Sequence, residues 1–402
     1  MTRRRLADTL SVMLPAREQT SFLGACLLEG PALGAAWREW LGAVGDPVRF
    51  LRASGDDSRR HLALLYRNLT DNGEAIPSDL QPYLRAALVR EQLRFETYDR
   101  CFQESVQILT VARIDLTVLK GAAVSRALFQ SPFLRHCHDL DLWLTDEELP
   151  RALAVLVAHG FQDEGRRAGT TRLAHPKGLP VLLHTRLLDG PFYRMPRDEM
   201  RGRRRTANTP SGAFNMLAHP DMLAHLCAHA STANRRPHAN WVIDAHRLSA
   251  QLTGADWETF LDVVRRADLA LPVAVLLRYL RDALAARVPL SVIDGLAAAA
   301  DRADGVTLMA ALDGAWLGRP GGLGSMLLES SWRSRLSLAR WLLLPPPAYL
   351  RATRGPMGPA RLAAAYPMRP MRFLVRSVRR RSGHPSPGDR FVEPRRTAGE
   401  LA

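Results

Sequence analysis

The run HDLDLWL, residues 138–144, limits the folds open to this chain more than any other feature. Leucines alternate with polar or aromatic residues, and in an extended strand successive side chains point to opposite faces of the sheet. The leucines therefore face a core, whereas Asp139 and Asp141 share the other face with Trp143. A helical period does not fit this alternation, so the run predicts a strand.

Two carboxylates on one face of a strand require an explanation. A rise of two residues separates Asp139 from Asp141 by about 6–7 Å, and aspartate is depleted in strands. A divalent cation would remove their repulsion, because Mg²⁺ favours carboxylate oxygens and completes its shell with water and substrate phosphates. The alternative is an exposed strand face with two solvated carboxylates, and the pair alone leaves both interpretations open.

The segment TVLKGAAVSRALF, residues 117–129, predicts a strand that turns into a helix at Lys120 and Gly121. A helix N-terminus presents unpaired N–H groups that favour an anion. Gly121 lets the backbone approach a ligand closely, and Lys120 adds a point charge suited to phosphate. The alternative is a glycine that eases a tight turn beside a solvent-exposed lysine.

The residues after the aspartates predict a second helix. Thr145 and Glu148 have the spacing of a capping box. Pro150 is late for a first turn, so the helix is expected to begin slightly after that box, and Gly160 ends it. The predicted order is strand, Lys-Gly turn, helix, loop, Asp-x-Asp strand, helix.

Periodicity divides the remaining chain into helical and strand-like parts. We predict an N-terminal helical region over residues 1–104, an α/β core over 105–190 and a C-terminal helical region over 191–345. The run LQPYLRAALVREQLRFETYDRCFQESVQILTVARI, residues 80–114, has apolar positions at three- and four-residue intervals and predicts one long helix, with an interruption left open. Residues 346–402 form a basic, Pro/Arg-rich tail that is expected to be largely disordered at its end. The strand-like runs of the core are DLTVL, HDLDLWL, TTRLAHP and PVLLHTRL.

The net positive charge of the chain and its distribution bear on which classes of partner the chain could bind. The net charge is +15, and residues 351–402 contribute twelve arginines against three acids. The tail and the RGRRR segment, residues 201–205, would attract RNA, anionic lipid or a charged acceptor. The alternative is an arginine-rich solvated surface. No RNA-binding motif with interleaved aromatic residues supports a nucleic-acid partner, and peripheral membrane contact of the tail stays open.

The cysteines and the N-terminus bear on location. Four scattered cysteines without paired spacing predict free thiols in a reducing, cytoplasmic compartment. The basic N-terminus lacks the apolar run of a signal peptide. No stretch approaches the roughly 20 apolar residues of a transmembrane segment.

The segments LKGAAVSRALF and LRHCHDLDLWLTDEELPRALAVLVAHGF resemble the uncharacterised nucleotidyltransferase family of the polymerase-β-like superfamily. In that family an LKG turn precedes an arginine, a D-[IL]-D-L strand and a helix that ends in Gly-Phe. The segments RHLALLYRNL, LLHTRL and PDMLAHLCAHAS, with ANWVIDAHRL after them, extend the resemblance over about residues 55–250. These motifs indicate the family when they occur together in this order, whereas a single motif does not.

The resemblance implies an α+β fold in which helical segments flank a small mixed-sheet nucleotidyltransferase-like core. It implies that Mg²⁺ or Mn²⁺ assists transfer of a nucleoside monophosphate from a nucleoside triphosphate to an acceptor, with release of pyrophosphate. Asp139 and Asp141 would be the catalytic, metal-binding residues. Lys120, Gly121 and Arg135 would bind the nucleotide. The acceptor is unidentified: a small molecule, peptide or glycan in peptide or polysaccharide tailoring.

One departure from the family pattern concerns a third carboxylate. An acid is expected two residues before the histidine of LLHTRL, and Leu182 stands there, while Thr185 replaces a tryptophan. Asp163 or Glu164 are candidate substitutes, and His184 is a candidate auxiliary base or ligand. The sequence therefore also allows a catalytically degenerate nucleotide-binding protein, or one that acts through its basic surface.

His225 and His229 lie four residues apart on a predicted helix and therefore share a face, as metal-binding histidine pairs do. No third ligand follows from the spacing, with His246 and Asp221 as the candidates. The pattern favours histidines packed in a core or helix interface. Asp244 is likewise interpreted as a helix-packing residue.

Overall fold

The computed structural model describes residues 14–300 apart from 54–55, 168–169, 189–194, 211 and 233–238, together with residues 340, 344, 347, 350 and 357–367. The chain divides into two compact units, Met1–Ser331 and Trp332–Ala402. Most of the predicted tail lies outside the described residues. The second unit contributes one described helix, Pro359–Ala365.

Helices and strands of the first unit follow one another in the predicted order, with additions. The helices before the sheet are α1 (Arg17–Leu27), α2 (Gly30–Val44), α3 (Pro47–Ala53), α4 (Asp56–Arg59), α5 (Leu62–Asp71) and α6 (Gln81–Val111). The mixed part contains β1 (Thr117–Val118), α7 (Lys120–Leu128), a 3₁₀ turn (Pro132–Leu134), β2 (Leu140–Trp143), α8 (Leu149–Ala158), β3 (Gln162–Arg167), β4 (Thr170–Ala174), β5 (Pro180–His184), α9 (Arg197–Gly202), β6 (Arg205–Thr209) and β7 (Gly212–Met216). The helices after it are α10 (His219–Thr232), α11 (Asn240–Ser249), α12 (Gly254–Arg266), α13 (Ala270–Leu284) and α14 (Leu290–Ala300).

The described strands form a seven-stranded mixed sheet in the order β3-β4-β5-β2-β1-β7-β6. β2 runs parallel to β5 and antiparallel to β1, and β1 runs parallel to β7. The remaining neighbours are antiparallel hairpin pairs. This sheet, with helices around it, confirms the predicted α+β class.

β2 lies at the centre of the sheet and is buried along its whole length. Its leucines face the core together with Val181 and Leu183 of the neighbouring β5. The other face is covered as well, because Asp141 and Trp143 are 3% and 2% exposed. The alternative of an exposed strand face is therefore wrong for Asp141.

Two local predictions are borne out by the helices around this strand. The long helix α6 runs without interruption for 31 residues. Helix α8 begins at Leu149, after the predicted box: the Thr145 hydroxyl accepts the Glu148 N–H at 3.3 Å, but the Glu148 carboxylate turns to the Asp115 N–H at 2.9 Å. Gly160 ends the helix with a φ of +88°, a conformation that glycine adopts without strain.

Three strands were not predicted. β3 (QDEGRR) and β6 (RTANT) are polar and form the two edges of the sheet, and β7 pairs with β6 in a hairpin. An edge strand is solvated on one side and needs no apolar alternation. Of the helices in the described ranges, none has both the length and the apolar character needed to cross a bilayer.

Candidate functional site

Asp141 lies in the middle of the sheet and is held by two basic side chains. Its Oδ1 accepts hydrogen bonds from Lys120 Nζ at 2.7 Å and from His184 Nε2 at 2.6 Å. Burial opposes ionisation, but the Lys120 charge and the hydrogen bond from His184 outweigh it and hold the pKa of Asp141 well below its usual range. Asp141 is therefore a buried carboxylate with a fixed orientation.

Lys120 is the residue at which β1 ends and α7 begins. Its φ is +49°, in the left-handed region, which costs a non-glycine residue about 1–2 kcal/mol. Its side chain is 22% exposed and forms an ion pair with Asp141. The chain thus keeps a lysine where the backbone favours glycine, and such strain is characteristic of functional positions.

Arg135 is buried and paired, and it does not extend into solvent as a free phosphate-binding side chain would. Arg135 is 7% exposed, and its Nε and Nη2 donate to the two carboxylate oxygens of Asp244, both at 2.7 Å. A Cβ added at Gly121 would lie 3.2 Å from both terminal nitrogens of Arg135 and 3.2 Å from Cys137 Sγ. Gly121 therefore makes room for the guanidinium, and nucleotide binding by these two residues stays a prediction.

Asp139 lies one residue before β2, and its side chain is 26% exposed. Burial and the negative charge of Asp141 raise the pKa of Asp139 to about 6. His138 Nε2 lies 3.4 Å from Asp139 Oδ2, and the Tyr98 hydroxyl donates to the Asp139 carbonyl at 2.7 Å. The sheet thus crowds two carboxyl groups at one place, as the sequence suggested.

The register between β2 and β5 shows where the expected third carboxylate would lie. Asp141 pairs with Leu182, so the position at which a third carboxylate was expected lies directly beside Asp141 and carries an apolar side chain. Asp163 and Glu164 lie on β3, separated from β2 by β4 and β5. Three strand spacings amount to about 14 Å, so neither acid substitutes for the missing one.

His184 joins this site from β5. Because the Asp141 carboxylate accepts from Nε2, that nitrogen carries a proton, and Nδ1 lies 3.1 Å from the Thr170 hydroxyl. A chain of polar contacts therefore runs from Thr170 through His184 and Asp141 to Lys120. Sequence reasoning did not find Thr170, because the contact depends on the pairing of β4 with β5.

The donor set fits one divalent cation with few protein ligands. Asp139 and Asp141 supply carboxylate oxygens, and a cation would relieve the repulsion that raises the pKa of Asp139. No group of three or more potential metal-ligating side chains occurs within the described part of the chain. Mg²⁺ is often held by one or two carboxylates, with water and substrate phosphates as its other ligands.

His225 and His229 lie closer to the site than the sequence suggested. Both are on α10, and the Lys120 charge reinforces burial in lowering the pKa of each, to about 4 for His225. The His225 Nε2–H donates to the Leu187 carbonyl at 2.8 Å. Both imidazoles are therefore neutral near pH 7 and lie near enough to Lys120 to feel its charge.

The two candidate partners of these histidines are engaged elsewhere. His246 Nε2 lies 3.1 Å from the Leu284 carbonyl. Asp221 accepts two hydrogen bonds from Arg203, at 2.8 and 3.1 Å. The interpretation of the pair as packed histidines is consistent with these contacts.

The pKa of His225 predicts an acid sensitivity. Protonation favours the unfolded chain, because the folded-state pKa of about 4 lies below the ordinary value of 6.5. Stability should therefore be full above pH 6.5 and fall as the pH drops towards 4, with a loss of about 2 kcal/mol for this group at pH 5. Urea unfolding at pH 7 and pH 5 measures this loss.

The matched variants for that experiment are His225→Gln and His159→Gln. Glutamine at 225 retains an N–H donor for Leu187 but cannot take up the proton, so the loss on acidification should shrink. His159 is exposed, and its substitution should leave the loss unchanged. An undiminished acid loss in His225→Gln would contradict the prediction.

The RGRRR segment is tied into ion pairs rather than left as a free basic patch. Arg201 and Arg204 bind Asp115 at 3.2 and 2.6 Å, and Arg203 binds Asp221. These contacts neutralise much of its charge. They weaken the hypothesis that this segment attracts RNA or lipid.

Comparison with known proteins finds one matching family. The sequence profile of a family described as uncharacterised nucleotidyltransferase matches residues 57–285, which include all the described helices and strands from α5 to α13. No curated protein matches the chain. Because the match covers more than half of the chain and contains the buried Asp141 with its Lys120 and His184 partners, the chain belongs to this family of uncharacterised nucleotidyltransferases.

Proposed function

We propose that the chain transfers a nucleoside monophosphate from a nucleoside triphosphate to an acceptor, with Mg²⁺ or Mn²⁺ held by Asp139 and Asp141. The observation that carries the proposal is the buried Asp141 carboxylate, which Lys120 and His184 orient next to Asp139. Burying an aspartate in a central strand costs free energy. A catalytic role of the kind that the family description implies would explain why the chain has this residue.

The roles of the residues follow from their contacts. The bound cation would neutralise phosphate charge and stabilise the attacking and leaving oxygens. Lys120 lies at the start of α7, from where its ammonium group can move from Asp141 to a phosphate. His184 and Thr170 keep Asp141 oriented while Lys120 moves. Gly121 keeps the backbone at this turn close-packed.

The acceptor class stays broad. A small molecule, a peptide or a glycan would each offer a hydroxyl or phosphate to attack the α-phosphate, and a role in peptide or polysaccharide tailoring is part of the proposal.

The four cysteines are free thiols, which accords with a reducing, cytoplasmic location.

A labelled substrate tests the proposal. Each of the four ribonucleoside triphosphates, labelled at the α-phosphate, is incubated with Mg²⁺ and with small-molecule, peptide and glycan acceptor pools. We expect label on one acceptor class, and no label with EDTA or with the variant Asp141→Asn. Equal labelling by Asp141→Asn would remove Asp141 from the mechanism.

Leu182 supports a second candidate function, a nucleotide-binding protein without transfer activity. The register places this leucine where an acid would help to hold a cation next to Asp141. On this reading the site binds nucleotide through Lys120 and the aspartates but turns over slowly or not at all.

The substitution Leu182→Glu distinguishes a weak metal site from an absent one. A carboxylate beside Asp141 should raise the affinity for Mn²⁺ about tenfold or more, since a charged ligand is worth at least 1.4 kcal/mol. Leu182→Gln is the matched control, with the same size and no charge. Calorimetric titration with Mn²⁺ gives both values, and equal affinities in the two variants would contradict the assigned geometry.

A further inference from the structure

The backbone of Asp139 lies just outside the sheet. β2 begins at Leu140, and its register with β5 starts at the pair Leu140–Val181. The Asp139 side chain is 26% exposed, and its carboxylate lies 3.4 Å from a ring nitrogen of the adjacent His138. The direction in which this carboxylate points therefore depends on contacts that its backbone makes outside the sheet ladder.

Tyr98 of α6 makes such a contact. Its hydroxyl donates to the Asp139 carbonyl at 2.7 Å, across 41 positions of the chain. Tyr98 is 5% exposed, and a hydrogen bond in a poorly solvated place is stronger than one in water. This bond restricts the backbone of Asp139 and, through it, the position of the Asp139 side chain.

Arg126 of α7 packs against Tyr98 and fixes its ring. The Arg126 side chain is fully buried. Its guanidinium carbon lies 5.3 Å from the ring centres of Phe95 and Tyr98 and 3.7 Å from that of Phe102. A guanidinium at these distances is attracted to the aromatic faces, and more strongly when it is removed from water.

The hydrogen bonds of Arg126 join the two helices. Nη2 donates to Asp99 Oδ1 on α6 at 2.6 Å, and Nη1 donates to the Ala122 carbonyl on α7 at 3.2 Å. Helix α7 begins at Lys120, which pairs with Asp141. Tyr98 therefore holds Asp139 from a helix that is itself tied to the helix of Lys120.

We infer that Tyr98 is a positioning residue, whose hydroxyl holds the backbone of Asp139 so that the two carboxylates lie at one cation. The inference rests on the proposed function, in which Asp139 and Asp141 bind the same metal ion. Tyr98 touches neither the cation nor the nucleotide in this role. Residues that orient a metal ligand from outside the metal shell typically change metal affinity about 10- to 100-fold when they are replaced.

Mn²⁺ titration of Tyr98→Phe tests the role, because this variant loses the hydroxyl and keeps the ring next to Arg126. Calorimetry compares the full-length wild type with Tyr98→Phe and with the matched control Tyr279→Phe. The Tyr279 hydroxyl lies 2.9 Å from the Thr20 hydroxyl, so the control also loses a hydrogen bond, but between α13 and α1. We expect about tenfold weaker binding by Tyr98→Phe and unchanged binding by Tyr279→Phe. Equal affinity of Tyr98→Phe and the wild type overturns the inference.

A double-mutant cycle shows whether Tyr98 acts through Asp139. The Mn²⁺ affinity of Asp139→Asn is compared with that of Tyr98→Phe/Asp139→Asn. If Tyr98 acts only by holding Asp139, the second substitution should cause no further loss, because the two effects are coupled. A further tenfold loss would show a general effect on the fold and would overturn the inference.

Hydrogen exchange tests the backbone contact without a metal or a nucleotide. In EDTA, the amides of residues 136–141 should exchange about tenfold faster in Tyr98→Phe than in the wild type, because one hydrogen bond that restrains the segment is lost. Tyr279→Phe should leave their exchange unchanged. Unchanged exchange in Tyr98→Phe overturns the inference.

The two measurements separate this inference from the proposed function. Faster exchange in Tyr98→Phe, together with no Mn²⁺ binding by the wild type, would refute the proposed function and keep the contact by which Tyr98 holds Asp139. Metal-dependent nucleotide binding that Tyr98→Phe leaves at wild-type strength would keep the proposed function and overturn the inference.

Discussion

Replacing Asp244 with alanine is expected to destabilise the first unit by about 3–5 kcal/mol, because it leaves the buried Arg135 charge without its partner. Arg135 and Asp244 are 7% and 1% exposed and share two hydrogen bonds of 2.7 Å. Urea unfolding monitored by circular dichroism measures the loss. Glu199→Ala, which removes an exposed partner of Arg266, is the control and should change stability far less.

The double variant Arg135→Met/Asp244→Leu distinguishes a structural role from a binding role. Replacing both members of a buried ion pair with apolar groups is often neutral for stability, so most of the loss should be recovered. If Arg135 acts only through Asp244, the recovered fold should bind nucleotide as the wild type does. If stability is recovered but nucleotide binding is lost, Arg135 itself contributes to phosphate binding.

Asp141→Asn should lower the rate of nucleotidyl transfer about a thousandfold or more, the size expected when several kcal/mol of charge stabilisation is lost. Asparagine keeps the shape of the side chain and can still accept from Lys120, so the fold should persist. Single-turnover transfer of labelled nucleoside monophosphate measures the rate.

Two variants control for indirect effects of Asp141→Asn. Asp163→Asn removes an acid of the edge strand β3, far from the site, and should leave the rate unchanged. Asp139→Asn should reduce the rate as Asp141→Asn does, because both carboxylates would hold the same cation. A rate for Asp141→Asn within a few-fold of the wild type would contradict the assignment.

The centre of the fold could be predicted because local patterns determine it. The period of two in HDLDLWL identifies β2, and apolar positions at helical spacing identify α6. Gly160 marks the end of α8. These signals depend on residues near in sequence, and the burial of the leucines follows from them directly.

The edges and the long-range partners could not be predicted in the same way. β3 and β6 are polar edge strands without a period that distinguishes them from loops. The Arg135–Asp244 pair joins residues 109 positions apart, and Arg94 meets His136 over 42 positions. Such contacts follow from the packing of helices on the sheet rather than from any local pattern.

The site shows the same division. Asp139, Asp141, Lys120 and His184 were predicted, and the structure brings Lys120 and His184 onto Asp141. The sequence did not show that Asp141 is fully covered. That property depends on the sheet register and on α7, which are set by the whole fold.

Nucleotide binding by calorimetry tests the central claim most directly. The four nucleoside triphosphates are titrated in Mg²⁺ and in EDTA into the wild type and into the double variant Asp139→Asn/Asp141→Asn. We predict that at least one nucleotide binds the wild type in a metal-dependent manner and that the double variant loses this binding. Binding of equal strength with EDTA, or in the double variant, would contradict a cation held by Asp139 and Asp141.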